Sequence, residues 1–246
     1  MNFDPTTDVD KFQITLFLTP PHSCGYLPDQ SASTLFVDPM YKMNAASFQF
    51  LLGRGFRRSG SQVYRPYCGA CQACVPVRIP VSSWDMKRSF RRIIKRNRVL
   101  NVKICSPEFS EERFLLYKKY VASRHADGPM ANPSESDFLS FLGCTWGKTL
   151  FVEFRLNDQL LMVAVLDHQA GTLSAVYTFF DPEEKKRSLG TYGILWAIEE
   201  ARRLGKQWLY LGYWIDSCQK MAYKSRFFPL EAYVGQEWVV LSDDCS

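Results

Sequence analysis

Leu150-Phe-Val-Glu-Phe-Arg-Leu-Asn-Asp-Gln-Leu-Leu-Met-Val-Ala-Val-Leu166 is two apolar runs on either side of Asn157-Asp158. Asn and Asp tolerate the left-handed backbone that a two-residue hairpin needs, so the stretch predicts two antiparallel strands joined by a tight turn. A third run, Leu173-Ser-Ala-Val-Tyr-Thr-Phe-Phe180, continues the pattern. After it, residues 181–188 read as a loop and residues 191–204 as a helix ended by Gly205. Residues 208–214 read as a strand, 217–226 as a helix and 230–241 as a closing hairpin. Strands followed by a strand–helix–strand unit predict an α+β fold with a mixed sheet in the C-terminal half.

Working outward, strands are expected at 12–18, 33–37 and 62–65, a helix at 40–52, and an extended stretch at 75–81 punctuated by Pro76 and Pro80. Between Lys87 and Lys103 stand eight Lys and Arg and no acid, in a chain of net charge +5 whose remainder is slightly acidic. Arg88, Arg91, Arg92 and Lys95 fall at i, i+3, i+4 and i+7, with Phe90, Ile93, Ile94 and Asn97 opposite. That is an amphipathic helix with a cationic face, suited to a phosphate backbone. A solvated helix face usually mixes signs, and this one does not. A further helix runs from the N-cap Ser110 to about Ser123. His125 follows in a loop beside Asp127 and reads as a loop histidine rather than a base. The division is an N-terminal Cys-containing, basic-helix domain over 1–105 and a catalytic domain over 106–246.

With 46% apolar and 22% charged residues, the chain has the composition of a globular protein with a full core. There is no apolar run of eighteen residues and no signal-peptide pattern at the start, so neither membrane nor export is expected and the cytoplasm is the default location. The cysteines are then thiols or ligands rather than disulfides. Cys68-x-x-Cys71-x-x-Cys74 puts three thiols on one turn, and Cys24 upstream offers a fourth. Four thiolates suit zinc or an iron–sulfur cluster, and reduced thiols without metal are the plain alternative. Cys105, Cys144, Cys218 and Cys245 read as isolated.

The segment from Tyr210 to Phe227 takes a strand end into a basic-aromatic element carrying Tyr213, Trp214, Lys220, Tyr223, Lys224 and Arg226. Open sheets place ligands at such strand ends. The element order resembles the GCN5-related N-acyltransferase fold. Arg187-x-x-Gly190-x-x-Gly193 stands where that fold carries its phosphate loop, but departs from the RxxGxG spacing by one residue, which counts against coenzyme A as donor. Two glycines for helix–strand packing explain it equally well.

Several blocks together resemble one family: Cys24-Gly-Tyr-Leu-Pro28, Thr34-Leu-Phe-Val-Asp-Pro39, Gly55-Phe-Arg-Arg-Ser-Gly60, Tyr64-Arg-Pro-Tyr-Cys68 through Arg78, Ser174 to Pro182, Ser188 to Gly193, and the Tyr210–Phe227 segment. It is the bacterial aspartate/glutamate leucyltransferase family, related to eukaryotic arginyl-tRNA–protein transferase. The resemblance implies an aminoacyltransferase moving an amino acid from its tRNA to the N-terminal amine of proteins that begin with Asp or Glu, marking them for the N-degron pathway. Leucine is the implied donor and arginine the alternative; a coenzyme A N-acyltransferase and a metal-stabilised RNA-binding module are the rivals. Eukaryotic relatives bind zinc or an iron–sulfur cluster through cysteines of different spacing.

An aminoacyl ester is already activated, so the chemistry needs no cofactor. The expected parts are Asp181 as base for the amine and Tyr177 and Tyr213 at the ester. Lys220, Lys224 and Arg226, backed by Arg78, would hold the acceptor carboxylate. Tyr223 and Trp214 would line the substrate pocket, and Arg88, Arg91, Arg92 and Lys95 would bind tRNA.

Overall fold

A computed structural model describes residues 13–124 and 132–241; His125, Asp127 and Cys245 fall outside the described residues. The N-terminal part supplies β1 (Leu16–Leu18), β2 (His22–Ser23), β3 (Ser31–Ala32), β4 (Thr34–Val37), α1 (Ala45–Leu52), β5 (Arg57–Ser59), β6 (Gln62–Pro66), β7 (Val75–Pro80), α2 (Arg88–Asn97) and β8 (Asn101–Cys105). After them come α3 (Glu111–Arg124), α4 (Glu135–Leu142), β9 (Lys148–Leu156), β10 (Gln159–His168), β11 (Thr172–Phe180), α5 (Leu189–Arg203), β12 (Trp208–Trp214), α6 (Gln219–Ala222), β13 (Leu230–Val234) and β14 (Glu237–Leu241).

Eight strands form one mixed sheet in the order β14-β13-β7-β12-β11-β10-β9-β8. Among the described strands only β11 and β12 run parallel, and α5 makes the crossover between them. Asn157 and Asp158 take φ of 47° and 67°, the left-handed turn expected between β9 and β10. β10 is buried from Leu160 to Asp167 because helices cover both sheet faces. On one face α2 and α5 pack over Phe90, Ile93, Leu195 and Ile198. On the other, α3 and α4 bring Phe114, Tyr117, Phe138 and Leu142 against Phe151 and Phe179. A second sheet, β1-β4-β6-β5, joins α1 in a third cluster that takes in Tyr210 of β12.

The strands β7 and β8 lie on the N-terminal side of residue 105, yet both hydrogen-bond into the large sheet. Neither β8 nor α4 is among the elements expected from the sequence. The helix α4 starts with a capping box, in which Ser134 and Asp137 satisfy one another's backbone N–H groups. The helix expected at 217–226 is short: α6 ends at Ala222 and residues 223–227 tighten into a 3-10 turn. Among the described residues no helix is long and apolar enough to cross a membrane.

Candidate active site

β11 and β12 pair over only three positions, Thr172 with Trp208, Leu173 with Leu209 and Ser174 with Tyr210. Past that point both strands continue but no longer hydrogen-bond to each other. Each carries an extra residue at this level: Val176 in β11 relative to β10, and Leu211 in β12 relative to β7. Bulges bend a strand and raise its twist, which drives the two apart. The result is a cleft at the C-terminal end of a parallel pair, and Ala175 to Thr178 are left half-buried along it.

Arg57 of β5 fills the point of divergence. Its guanidinium donates to Ser174 Oγ at 2.9 Å and to the Ala175 carbonyl at 2.7 Å. It lies against Gly212, where a Cβ would come within 3.4 Å of Arg57 Nε; φ there is +81°, so the position favours glycine twice over. The neighbouring Arg58 faces elsewhere. It binds Asp167 through two bonds of 2.6 and 2.7 Å and reaches the carbonyls of Leu142 and Gly143 at the end of α4.

Rings and an amine stand around the ends of the two strands. The hydroxyl of Tyr177 is buried with no hydrogen-bond partner, and so is the indole N–H of Trp214, which packs against Phe228 on the sheet face that α2 and α5 cover. Burial raises the Tyr177 phenol far above its ordinary range, so it stays a neutral donor. Tyr117, Tyr120 and Phe141 surround the Tyr177 ring edge-on. Across the cleft, part of Tyr223 is exposed, while burial of its hydroxyl, with Tyr120 adding, pushes it up to about 12. Lys224 is 3% exposed, with its amine 4.8 Å from the Tyr223 ring centroid and 3.5 Å from Met221 Sδ. Burial, then the Arg57 charge, pulls this amine down to about 7.

The other expected residues take different positions. Tyr213 spends its hydroxyl on the carbonyls of Gly55 (3.0 Å) and Tyr64 (3.3 Å), tying β12 to the small sheet. Arg78 is committed to Glu231 and the Tyr210 hydroxyl and lies between the Trp208 and Trp238 rings. Lys220 and Arg226 are exposed, and Arg226 sits over Phe90 of α2. Asp181 accepts from Lys119 at 2.9 Å and from the Glu183 N–H at 3.0 Å. Sequence reasoning missed Arg57, although two adjacent arginines in a strand point to opposite faces and cannot both reach solvent from a packed sheet.

Arg88, Arg91, Arg92 and Lys95 are exposed along α2, opposite the buried Phe90, Ile93 and Asn97. The helix end joins the loop leaving β11, because Asn97 Nδ2 and Arg96 donate to the carbonyls of Arg187 and Lys186. Gly190 admits the Phe180 ring, which a Cβ would meet at 3.1 Å, so at least this glycine serves helix–strand packing.

Cys24, Cys68, Cys71 and Cys74 share one half-buried neighbourhood. Burial pushes the Cys74 thiol up to about 12, with Cys68, Cys24, Cys71 and the buried Cys218 adding. Cys218, expected as isolated, thus stands close to them. Among the described residues no three His, Cys, Asp or Glu side chains are arranged to hold a metal ion, so these thiols do not form a ready-made ligand set.

Comparison with known proteins gives a consistent picture. Residues 22–92 match the family described as arginine-tRNA-protein transferase, N terminus, and residues 112–234 match its C terminus. An aspartate/glutamate leucyltransferase of Pseudomonas fluorescens (strain Pf0-1) is 50% identical over 230 residues, covering 94% of this chain and 98% of that protein. The protein of the same name from Stutzerimonas stutzeri (strain A1501) gives the same figures. Among solved structures, the C-terminal domain (DUF2156) assigned to a lysylphosphatidylglycerol synthetase from Agrobacterium fabrum overlaps with a TM-score of 0.45 at 12% identity, covering 71% of this chain and 54% of that one.

Proposed function

The chain belongs to the arginine-tRNA–protein transferase family, and from that premise we propose that it moves leucine from leucyl-tRNA to the N-terminal amine of proteins beginning with Asp or Glu. An aminoacyl-tRNA–protein transferase takes tRNA and a protein as substrates. Leucine as donor and an acidic first residue as acceptor are our reading. The observation that carries it is the 50% identity, over nearly the whole chain, to proteins named for that pair of substrates. A cytoplasmic location and a role in the N-degron pathway go with the same reading, as does the acyltransferase-like character of the sheet.

The reaction is aminolysis of an ester. The α-amine nitrogen attacks the leucyl carbonyl carbon, the C–N bond forms and the C–O bond to the tRNA ribose breaks. The proton given up by the amine ends on the ribose oxygen. An α-amine with a pKa of about 7.7–8.0 is partly neutral near pH 7.5, so positioning supplies much of the rate. In this reading the cleft between β11 and β12 receives both substrates. The unpartnered Tyr177 hydroxyl donates to the carbonyl oxygen as charge develops there. Asp181, held by Lys119, accepts the proton of the amine. Trp214 and Tyr223 line the cleft beside the ester, with Tyr213 behind them.

The tRNA lies along Arg88, Arg91, Arg92 and Lys95, which leads to the loop at the open end of β11. Exposed Lys220 and Arg226 add to the charge around this end rather than to a buried pocket. Zinc or an iron–sulfur cluster on Cys24, Cys68, Cys71 and Cys74 remains part of the proposal as a structural group, and no step of the transfer passes through it.

The test is to incubate the protein with leucyl-tRNA or arginyl-tRNA and peptides starting with Asp, Glu, Ala or Lys, then weigh the peptides. Leucine is expected on the Asp and Glu peptides alone. Arginine in its place, or modification of the Ala and Lys peptides, would overturn the reading.

A further inference from the structure

Among the described residues four arginines are almost fully buried, and three have a carboxylate. Arg58 holds Asp167, Arg78 holds Glu231 and Arg113 holds Glu153. Arg57 is the exception. Its partners are the neutral Ser174 Oγ and the Ala175 carbonyl, which use two of the five N–H groups a guanidinium carries. Lys224, close enough to feel its charge, is also buried, and its hydrogen-bond acceptor is the sulfur of Met221. Among the described residues neither cation has an ion-pair partner. The carboxylate that Arg57 does feel, Asp167, is already bound by Arg58, and two buried like charges with no carboxylate of their own oppose folding. Proteins keep such groups where a ligand brings the missing charge.

We propose that Arg57, with Lys224 beside it, forms the subsite that takes the side-chain carboxylate of the acceptor's first residue. This rests on the reading that the acceptor begins with Asp or Glu, and names what recognises the acid. The location suits the ligand. Arg57 is wedged where β11 and β12 part, with Gly212 at its back and with Tyr223 and Lys224 both near enough to feel its charge. A slender carboxylate can enter such a cleft, whereas a phosphodiester brings a bulky backbone with it. A guanidinium matches a carboxylate with two parallel hydrogen bonds. The exposed Lys220 and Arg226 would discriminate poorly, since charge pairs in water contribute little.

The test is transfer from leucyl-tRNA to peptides that begin with Asp or with the isosteric, neutral Asn. Wild type is expected to prefer Asp strongly. Arg57→Gln is expected to lose on the order of 100-fold in kcat/KM for the Asp peptide, as when one partner of a buried charge pair is removed. Its KM for leucyl-tRNA should hold, and its Asp-to-Asn ratio should fall toward one. Arg57→Lys should recover part of the ratio, and Lys224→Gln should lower it. A folded Arg57→Gln that keeps the wild-type ratio overturns the proposal. If Arg57→Gln does not fold, an unchanged ratio in both Arg57→Lys and Lys224→Gln overturns it instead. Wild type that transfers leucine to neither peptide would defeat the underlying reading. Variants that keep a strong wild-type preference would defeat the subsite alone.

Discussion

Arg58 grips Asp167 through Nε and NH2 at 2.6 and 2.7 Å, a two-bond pair sealed between the small sheet, α4 and β10. Both side chains are 1% exposed. Removing one partner leaves the other charge buried and alone, at a cost of about 3–5 kcal/mol. Asp167→Asn is therefore expected to lower the urea midpoint markedly. A loss below about 1 kcal/mol would mean that water reaches the pair.

Lys224 sets a pH dependence whose sign is fixed. Its folded-state value near 7 lies below the roughly 10.4 of an unfolded lysine. Between those values the unfolded chain binds a proton that the folded chain lacks, so this group makes stability rise with pH by up to about 1.4 kcal/mol per unit. Below pH 7 both states are charged, and the fold carries the full cost of the buried ammonium. The stability advantage of Lys224→Met over wild type should be largest near pH 6 and shrink steadily toward pH 9 in urea titrations. A difference independent of pH would show that the amine is charged throughout.

The cationic face of α2 should appear as a salt effect. Every backbone phosphate that the protein ceases to neutralise lowers the slope of log affinity against log salt by about 0.7–0.9. Replacing Arg88, Arg91, Arg92 and Lys95 together with Gln is expected to weaken tRNA binding at low salt, flatten that slope and leave the melting temperature nearly unchanged, because all four side chains are exposed. Filter binding across a salt series decides it, and a wild-type slope would move the tRNA elsewhere.

The thiols give a fourth expectation. Cys24, Cys68, Cys71 and Cys74 lie in one neighbourhood without ligand geometry, so a bound metal would have to reorient them. Protein purified without air should contain about one zinc, or iron with sulfide, by elemental analysis, and Cys71→Ser should lose it. Metal-free protein with full transferase activity would leave these cysteines as thiols only.

What the sequence disclosed was local. The turn at Asn157-Asp158, the strand over the apolar run of β10 and the two-faced α2 follow from spacing and backbone preference, and all three stand in the structure. The capping box at Ser134 and Asp137 is equally local, and would have revealed α4. The cleft was only half legible. Trp214, Tyr223 and Lys224 stand in one segment, but Tyr177 lies on another strand, and Arg57 and Arg58 look alike in sequence. Only the tertiary register gives one of them a carboxylate 109 residues away and the other a serine hydroxyl 117 residues away. The burial that sets the state of Lys224 likewise comes from elements packed around it, which no spacing within 217–226 encodes.

The position of β7 has a consequence for how this protein can be divided. It hydrogen-bonds β12 on one side and β13 on the other, and among the described residues β13 otherwise pairs only with β14. The two family matches separate between residues 92 and 112, while β7, within the first, holds together strands from the second. A chimaera that joined the front of one relative to the back of another would splice the seam of a single sheet. Its β7 would have to fit foreign neighbours on both edges, so such an exchange is expected to cost stability unless β7 travels with β12 and β13.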